Sequence, residues 1–178
     1  LEDIYKKGHK IVTVAGGGEF AREYISLGRS LGGDEASLDQ IGIEVSRLNA
    51  RIMILSSKMS HPKVPVNLDD VTSAVDSGGM VFTGGLSPGQ STNATAALIA
   101  ERLRSKIFIN ATDVEGVYTA DPNKVKSAKL LRRVATKELQ NMLVSEVIGA
   151  GTYDLMDLVA LKIIERSKIP SRIVKCDP

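Results

Sequence analysis

The chain has 178 residues, 43% hydrophobic and 25% charged, which is enough for one domain with a buried core and ordinary for a soluble globular protein. A formal net charge of +2 supplies no strong field for nucleic acid or a membrane surface, and the single cysteine, Cys176, excludes an internal disulfide framework. No apolar run approaches the ~20 residues of a membrane span, and no basic-then-apolar leader precedes the first strand, so a cytoplasmic setting is expected for a chain that begins at Leu1.

In chain order, Lys10-Ile11-Val12-Thr13-Val14-Ala15 reads as a strand ending in Gly16-Gly17-Gly18. A helix should follow, with Phe20, Tyr24, Leu27 and Leu31 spaced for one face. A long helical period then runs from about Leu38 to Ser56 through Ile41, Val45, Leu48, Ile52 and Leu55, and Pro62 and Pro65 break it. Met80-Val81-Phe82-Thr83 is a second strand, stopped by Gly84 and Gly85. Ser91 or Thr92 caps a helix whose apolar face includes Ala97, Leu98 and Leu103. Ile107 to Ala111 is a third strand, Asp154 or Asp157 opens a last helix through Ala160, Ile163 and Ile164, and Ile173-Val174 forms a fourth strand. Strands alternating with helices imply parallel pairing with helices on both faces: an α/β, three-layer αβα sandwich around a mostly parallel, doubly wound sheet.

Ligands of such sheets bind beyond the carboxyl ends of the strands, where three of these four strands end in glycine or small polar residues. The turn Gly16-Gly17-Gly18 lets backbone approach a phosphate, the next helix offers free N–H groups, and Arg22 can add a charge-assisted fork. The same residues also read as a tight strand-to-helix turn with a solvated arginine. The segment Leu86-Ser87-Pro88-Gly89-Gln90-Ser91-Thr92 loads one helix N-terminus with backbone donors, hydroxyls and an amide, more than a plain cap requires. After the third strand, Thr112, Asp113, Tyr118 and Asp121 bring a hydroxyl, carboxylates and a ring into one short stretch, which a glycine-containing turn ended by Asp121-Pro122 also explains. Asp157 is either a helix cap or a carboxylate that orients cationic groups around phosphates. His9 and His61 stand alone, so no metal site is expected from protein ligands, and the absence of G-x-x-x-x-G-K-[ST] excludes a P-loop.

Seven ordered motifs carry a family likeness: G-G-G-x-x-A-R (Gly16 to Arg22), D-x-I-G-I (Asp39 to Ile43), S-R-L-N-A (Ser46 to Ala50), T-G-G-x-x-P-G-Q-S-T (Thr83 to Thr92), A-T-x-V-x-G-V-Y-x-x-D-P (Ala111 to Pro122), A-G-T-Y-x-x-x-D (Ala150 to Asp157) and E-R-S-K-I (Glu165 to Ile169). From about Ile11 to Val174 the chain resembles the archaeal-type uridylate kinases (UMP kinases) of the amino-acid-kinase superfamily. The resemblance implies ATP + UMP → ADP + UDP with Mg²⁺, within pyrimidine nucleotide biosynthesis. It implies UMP contacts at Gly17, Asp39, Leu86, Ser87, Pro88, Gly89, Gln90, Ser91 and Thr92, and ATP contacts at Gly18, Arg22, Thr112, Asp113, Tyr118 and Asp121. Asp157 matches the aspartate that organises phosphoryl transfer, with Arg22 as its catalytic companion. No nucleic-acid or membrane partner is implied. The family is typically hexameric, so a homo-oligomer is expected, formed through the helix after the first glycine turn and its neighbours.

Members of that family begin with a strand and a glycine-rich loop bearing a lysine that contacts the transferred phosphate, and close with a further segment after the last strand. Lys6, Lys7 and Lys10 stand too late to match that lysine, so residues 1–178 are expected to form a single domain of this fold lacking both pieces. Asp113 and Glu115 stand where relatives often have asparagine and aspartate. Two other readings stay open: another kinase of the superfamily, such as an isopentenyl phosphate kinase, and a non-catalytic nucleotide-binding or sensing protein. The first typically carries a histidine soon after its glycine turn, where this chain has Glu19-Phe20-Ala21-Arg22.

Overall fold

In the computed structural model, the described residues are 1–112, 114–120, 125–144 and 156–176. A short helix α1 (Glu2–Lys6) precedes β1 (Val12–Val14), α2 (Gly18–Ser30), α3 (Glu35–Leu55), α4 (Leu68–Ser77) and β2 (Val81–Thr83). Then come α5 (Thr92–Arg102), β3 (Phe108–Thr112), β4 (Val117–Tyr118), β5 (Leu130–Leu131), α6 (Thr136–Val144), α7 (Leu158–Ser167) and β6 (Ser171–Lys175). All four expected strands form, and their pairing is parallel. Val12, Thr13 and Val14 lie opposite Val81, Phe82 and Thr83, and Phe108 to Thr112 run alongside Ser171 to Lys175. Among the described residues these are separate ladders, joined through α5, which packs on both β1 and β3. A parallel bridge from Ser60 to Met80 adds one more chain segment beside β2. The antiparallel pair β4–β5 has no counterpart in the sequence reading, because two residues per strand are too few for a period to register.

Burial explains which residues make the core. Phe108, Val117, Leu139, Met156, Ala160, Leu161, Ile163 and Ile164 cluster with Ala97 and Ala100 between α5, α6, α7 and β3. Ala15, Ala50, Met80 and Phe82 form a second cluster around the β1–β2 ladder.

Two helix faces depart from expectation. The α2 stripe Phe20, Tyr24 and Leu27, with Leu31 just past the helix end, is exposed, Phe20 at 67% and Leu31 at 79%. On α3, Leu48, Ile52 and Leu55 are exposed as well, while Leu38, Ile43, Ser46 and Ala50 point inward. Small residues cause the inversion. A Cβ at Gly28 would lie 2.7 Å from Leu38 Cδ2, and one at Gly42 would lie 3.3 Å from Ile25 Cδ1, so α2 and α3 approach through glycines rather than large side chains.

The start of α3 is fixed by Asp34. Its Oδ1 accepts from Ser37 N at 3.0 Å and its Oδ2 accepts from Ser37 Oγ at 2.7 Å. These bonds, the hydroxyl first and the amide second, hold the Asp34 carboxyl below its ordinary range. A carboxylate with a lowered folded pKa stabilises fully above its ordinary pKa and loses that contribution as pH falls through the lowered value. The melting-temperature gap between wild type and Asp34→Ala should therefore be constant near neutrality and shrink in acid below the usual carboxylate pKa. A gap that does not change with pH would contradict this.

Candidate active site

Parallel pairing puts the carboxyl ends of β1 and β2 at one edge. Ala15 N donates to Thr83 O at 2.7 Å, carrying the ladder up to both glycine turns. At the first turn, Gly18 has φ +65°, and a Cβ at Gly17 would lie 2.4 Å from Ala21 Cβ, so glycine is required where the strand enters α2. Gly16 faces the start of α5: a Cβ there would meet Thr92 Oγ1 at 3.9 Å. The two turns are thus neighbours across the ladder.

Two helices also aim their N-termini together. Ser91 caps α5 by accepting from Ala94 N at 2.9 Å, and Asp157 caps α7 through Oδ1, which accepts from Val159 N at 2.8 Å and Ala160 N at 2.9 Å. The Ser91 hydroxyl donates to Asp157 Oδ2, tying one cap to the other. The positive ends of two helix dipoles therefore meet beside the glycine turns, an arrangement suited to anionic ligands. Of the two openings the sequence left for the last helix, Asp157 is the one used, and Ser91 rather than Thr92 caps α5.

The loop from Gly84 to Thr92 is buried at Gly84 and Gly85, half-buried at Leu86, and exposed at Ser87, Pro88, Gly89 and Gln90. Gly89 has φ +76°, and its N–H donates to Asp39 Oδ2 at 2.7 Å, so the expected residue Asp39 is brought directly onto this loop.

Three α3 side chains to which the sequence assigned no role hold the same region. Ser46 Oγ accepts from Gly85 N at 2.8 Å. Arg47 donates from Nε to Gly85 O at 3.0 Å and from Nη2 to Val66 O at 3.1 Å and Leu86 O at 3.4 Å. Asn49 Nδ2 donates to Gly16 O at 2.8 Å and Gly17 O at 3.3 Å. Polar residues on a long helix ordinarily read as a solvated face, and these partners lie 19 to 39 residues away in sequence. The S-R-L-N-A motif was the only available signal.

The remaining expected residues fall as follows. Arg22 stands one turn into α2, exposed, lining a shallow 630 Å³ groove with Glu19, Glu23, Ser26, Leu27 and Ser30. Among the described residues it makes no ion pair, and the structure does not join it to the Ser91–Asp157 pair. Thr112 ends β3, where its carbonyl accepts from Cys176 N at 2.8 Å. Tyr118 is half-buried on β4 and donates to Glu115 Oε2 at 3.4 Å, and burial, then Glu115, pushes its phenol up from the ordinary value. Asp113, Asp121 and most of the Ala150 to Asp157 motif lie outside the described residues. Among the described residues no cluster of histidine, cysteine and carboxylates could cage a metal ion, and no helix is long and apolar enough to cross a membrane.

Parallel ladders, glycine turns at their carboxyl edge and converging helix N-termini define an α/β protein organised around a phosphate-type ligand site. The chain belongs to the amino acid kinase family, whose family model matches residues 1–175. It is 45% identical to the uridylate kinase of Sulfolobus acidocaldarius over 97% of this chain and 77% of that protein, and 47% identical to that of Sulfurisphaera tokodaii over 95% and 76%. Among solved structures, the uridylate kinase from Archaeoglobus fulgidus matches with a TM-score of 0.87 at 41% identity, covering 97% of this chain and 78% of that one. The α/β architecture expected from the sequence is therefore the amino-acid-kinase fold.

Proposed function

We propose that this chain is an ATP-dependent nucleoside monophosphate kinase that converts UMP to UDP, a step of pyrimidine nucleotide biosynthesis, and that it acts as a single domain. The observation that carries the reaction class is the Ser91–Asp157 link, which joins two helix N-termini beside two glycine turns. The choice of acceptor is supported by the relatives named uridylate kinase. In the reaction, a phosphate oxygen of UMP attacks the γ-phosphorus of ATP, the bond from that phosphorus to the β-bridging oxygen breaks, and ADP leaves with the electron pair. Such transfer needs positioning and charge neutralisation more than covalent help.

The acceptor is assigned to Gly17, Asp39 and the loop Leu86 to Thr92, and ATP to Gly18, Arg22, Thr112, Asp113, Tyr118 and Asp121. Asp39 Oδ2 is occupied by Gly89 N–H, which leaves Oδ1 to accept from a sugar hydroxyl. The N-termini of α5 and α7 stabilise the charge on the transferring group, and Asp157 keeps them in register. Arg22 is assigned to the phosphates of ATP, to which its guanidinium would donate from α2. Mg²⁺ is assigned to the ATP phosphates, where it offsets their charge.

The exposed apolar residues of α2 and α3 are assigned to contacts between copies of this chain in a hexamer, since isolated monomers rarely leave such patches open. Light scattering should then give a hexameric mass, and a monomer at micromolar concentration would overturn the assembly. A cytoplasmic location completes the reading.

The test is ADP release from Mg-ATP by the full-length protein with UMP, CMP, isopentenyl phosphate or acetylglutamate as acceptor. Turnover confined to UMP is expected. Turnover on another acceptor would overturn the specificity, and nucleotide binding without any turnover would favour a sensor.

A further inference from the structure

The S-R-L-N-A run is not used by the reading above, yet three of its side chains reach both glycine turns from a single helical turn. Ser46, 1% exposed, spends its hydroxyl on two backbone partners, donating to Ile43 O at 2.7 Å and accepting from Gly85 N. Arg47 is half-buried and forms no ion pair among the described residues. It donates to three carbonyls, on Gly85, Leu86 and Val66, so the guanidinium is held beside the loop by backbone dipoles. Asn49 divides one amide between the carbonyls of Gly16 and Gly17. Serine and asparagine are poor residues for a helix interior, and an apolar residue at 46 would strand the buried Gly85 N–H.

We propose that Ser46, Arg47 and Asn49 are positioning residues that pre-form the two substrate turns: Arg47 sets the loop that takes the acceptor, and Asn49 sets the turn shared by acceptor and ATP. The inference rests on the assignment of UMP to the Leu86 to Thr92 loop and Gly17, and of ATP to Gly18. It predicts a division that general loosening of the fold would not produce. Arg47→Met should raise KM for UMP about 10- to 50-fold while KM for ATP stays within about twofold, because the charge-assisted bonds lost hold the acceptor loop and Val66, none of them the Gly16–Gly17 turn. Arg47→Lys retains the charge but not the fork, and should recover only part of the difference. Asn49→Ala should raise both KM values together.

The experiment is steady-state kinetics on these full-length variants, with melting temperature as a check on folding and amide hydrogen exchange in the absence of ligand. Gly85 and Gly89 amides are expected to exchange faster in Arg47→Met than in wild type. An unchanged KM for UMP in a folded Arg47→Met protein, or equal rises for UMP and ATP, would overturn the proposal. If Arg47→Met does not fold, Arg47→Lys decides by the same split in KM. Should wild type prefer another acceptor, the UMP assignment fails. The KM split measured on that acceptor, and the exchange rates, then still judge the positioning role.

Discussion

Asp157→Asn is expected to lower kcat for UDP formation about 10²-fold or more while leaving the melting temperature nearly unchanged, because asparagine caps a helix about as well as aspartate. The substitution separates two roles that one carboxylate combines. Through Oδ1, Asp157 satisfies the Val159 and Ala160 amides, and asparagine can do the same with its own oxygen. Through Oδ2, it accepts from the Ser91 hydroxyl that caps α5. An asparagine presents an NH₂ there, so the serine must turn its hydroxyl and the two N-termini lose their register. Asp157→Ala removes both functions, and should add a cap loss of about 1 kcal/mol to the same fall in kcat. Steady-state rates and thermal melts on both variants check this. Full activity in Asp157→Asn would reduce the residue to a helix cap.

The largest effect on stability is expected at Gly84. A Cβ there would lie 2.4 Å from Ser46 Oγ, 2.5 Å from Arg47 N and 2.6 Å from Ser46 C, so α3 backbone, not a movable side-chain end, blocks it. Gly84→Ala must push the loop off α3 or shift the helix, at a cost of about 3 kcal/mol. For a chain of this length that corresponds to a fall of roughly 6–12 °C in melting temperature. Gly16→Ala is the internal comparison. Its nearest neighbour would be Thr92 Oγ1 at 3.9 Å and its φ is not positive, so its stability should change by only a few tenths of a kcal/mol. Similar melting shifts in the two variants would refute the close-approach argument.

What the sequence makes legible here follows from how local each signal is. The glycine turns, the caps at Ser91 and Asp157 and the four strands are each written within a few adjacent residues, and all of them form. Which face of a helix is buried is not local. The stripe Phe20, Tyr24, Leu27 has the right spacing for a core, but Gly28 and Gly42 let α2 and α3 close on their small residues and leave that stripe outside. The grip of Ser46, Arg47 and Asn49 on distant carbonyls is equally hidden, since nothing beside them in the chain names a partner. The contact between Asp39 and Gly89 spans 50 residues, and the family likeness assigned both residues to the acceptor without naming the bond between them.

The ladders β1–β2 and β3–β6 each join strands separated by on the order of 60–70 residues, so neither can close until its whole crossover has been made. The consequence is an order of events during translation. Once β2 has left the ribosome, the first ladder and the α2–α3 pair can form, and α5 then follows to pack on β1. The strand β3 must wait for β6, among the last residues described, and through that interval Phe108 and the inner face of α5 lack the α7 surface that buries them. Nascent chains are most exposed to aggregation and to chaperone capture in that window, and synonymous changes that slow the ribosome between β3 and β6 would lengthen it.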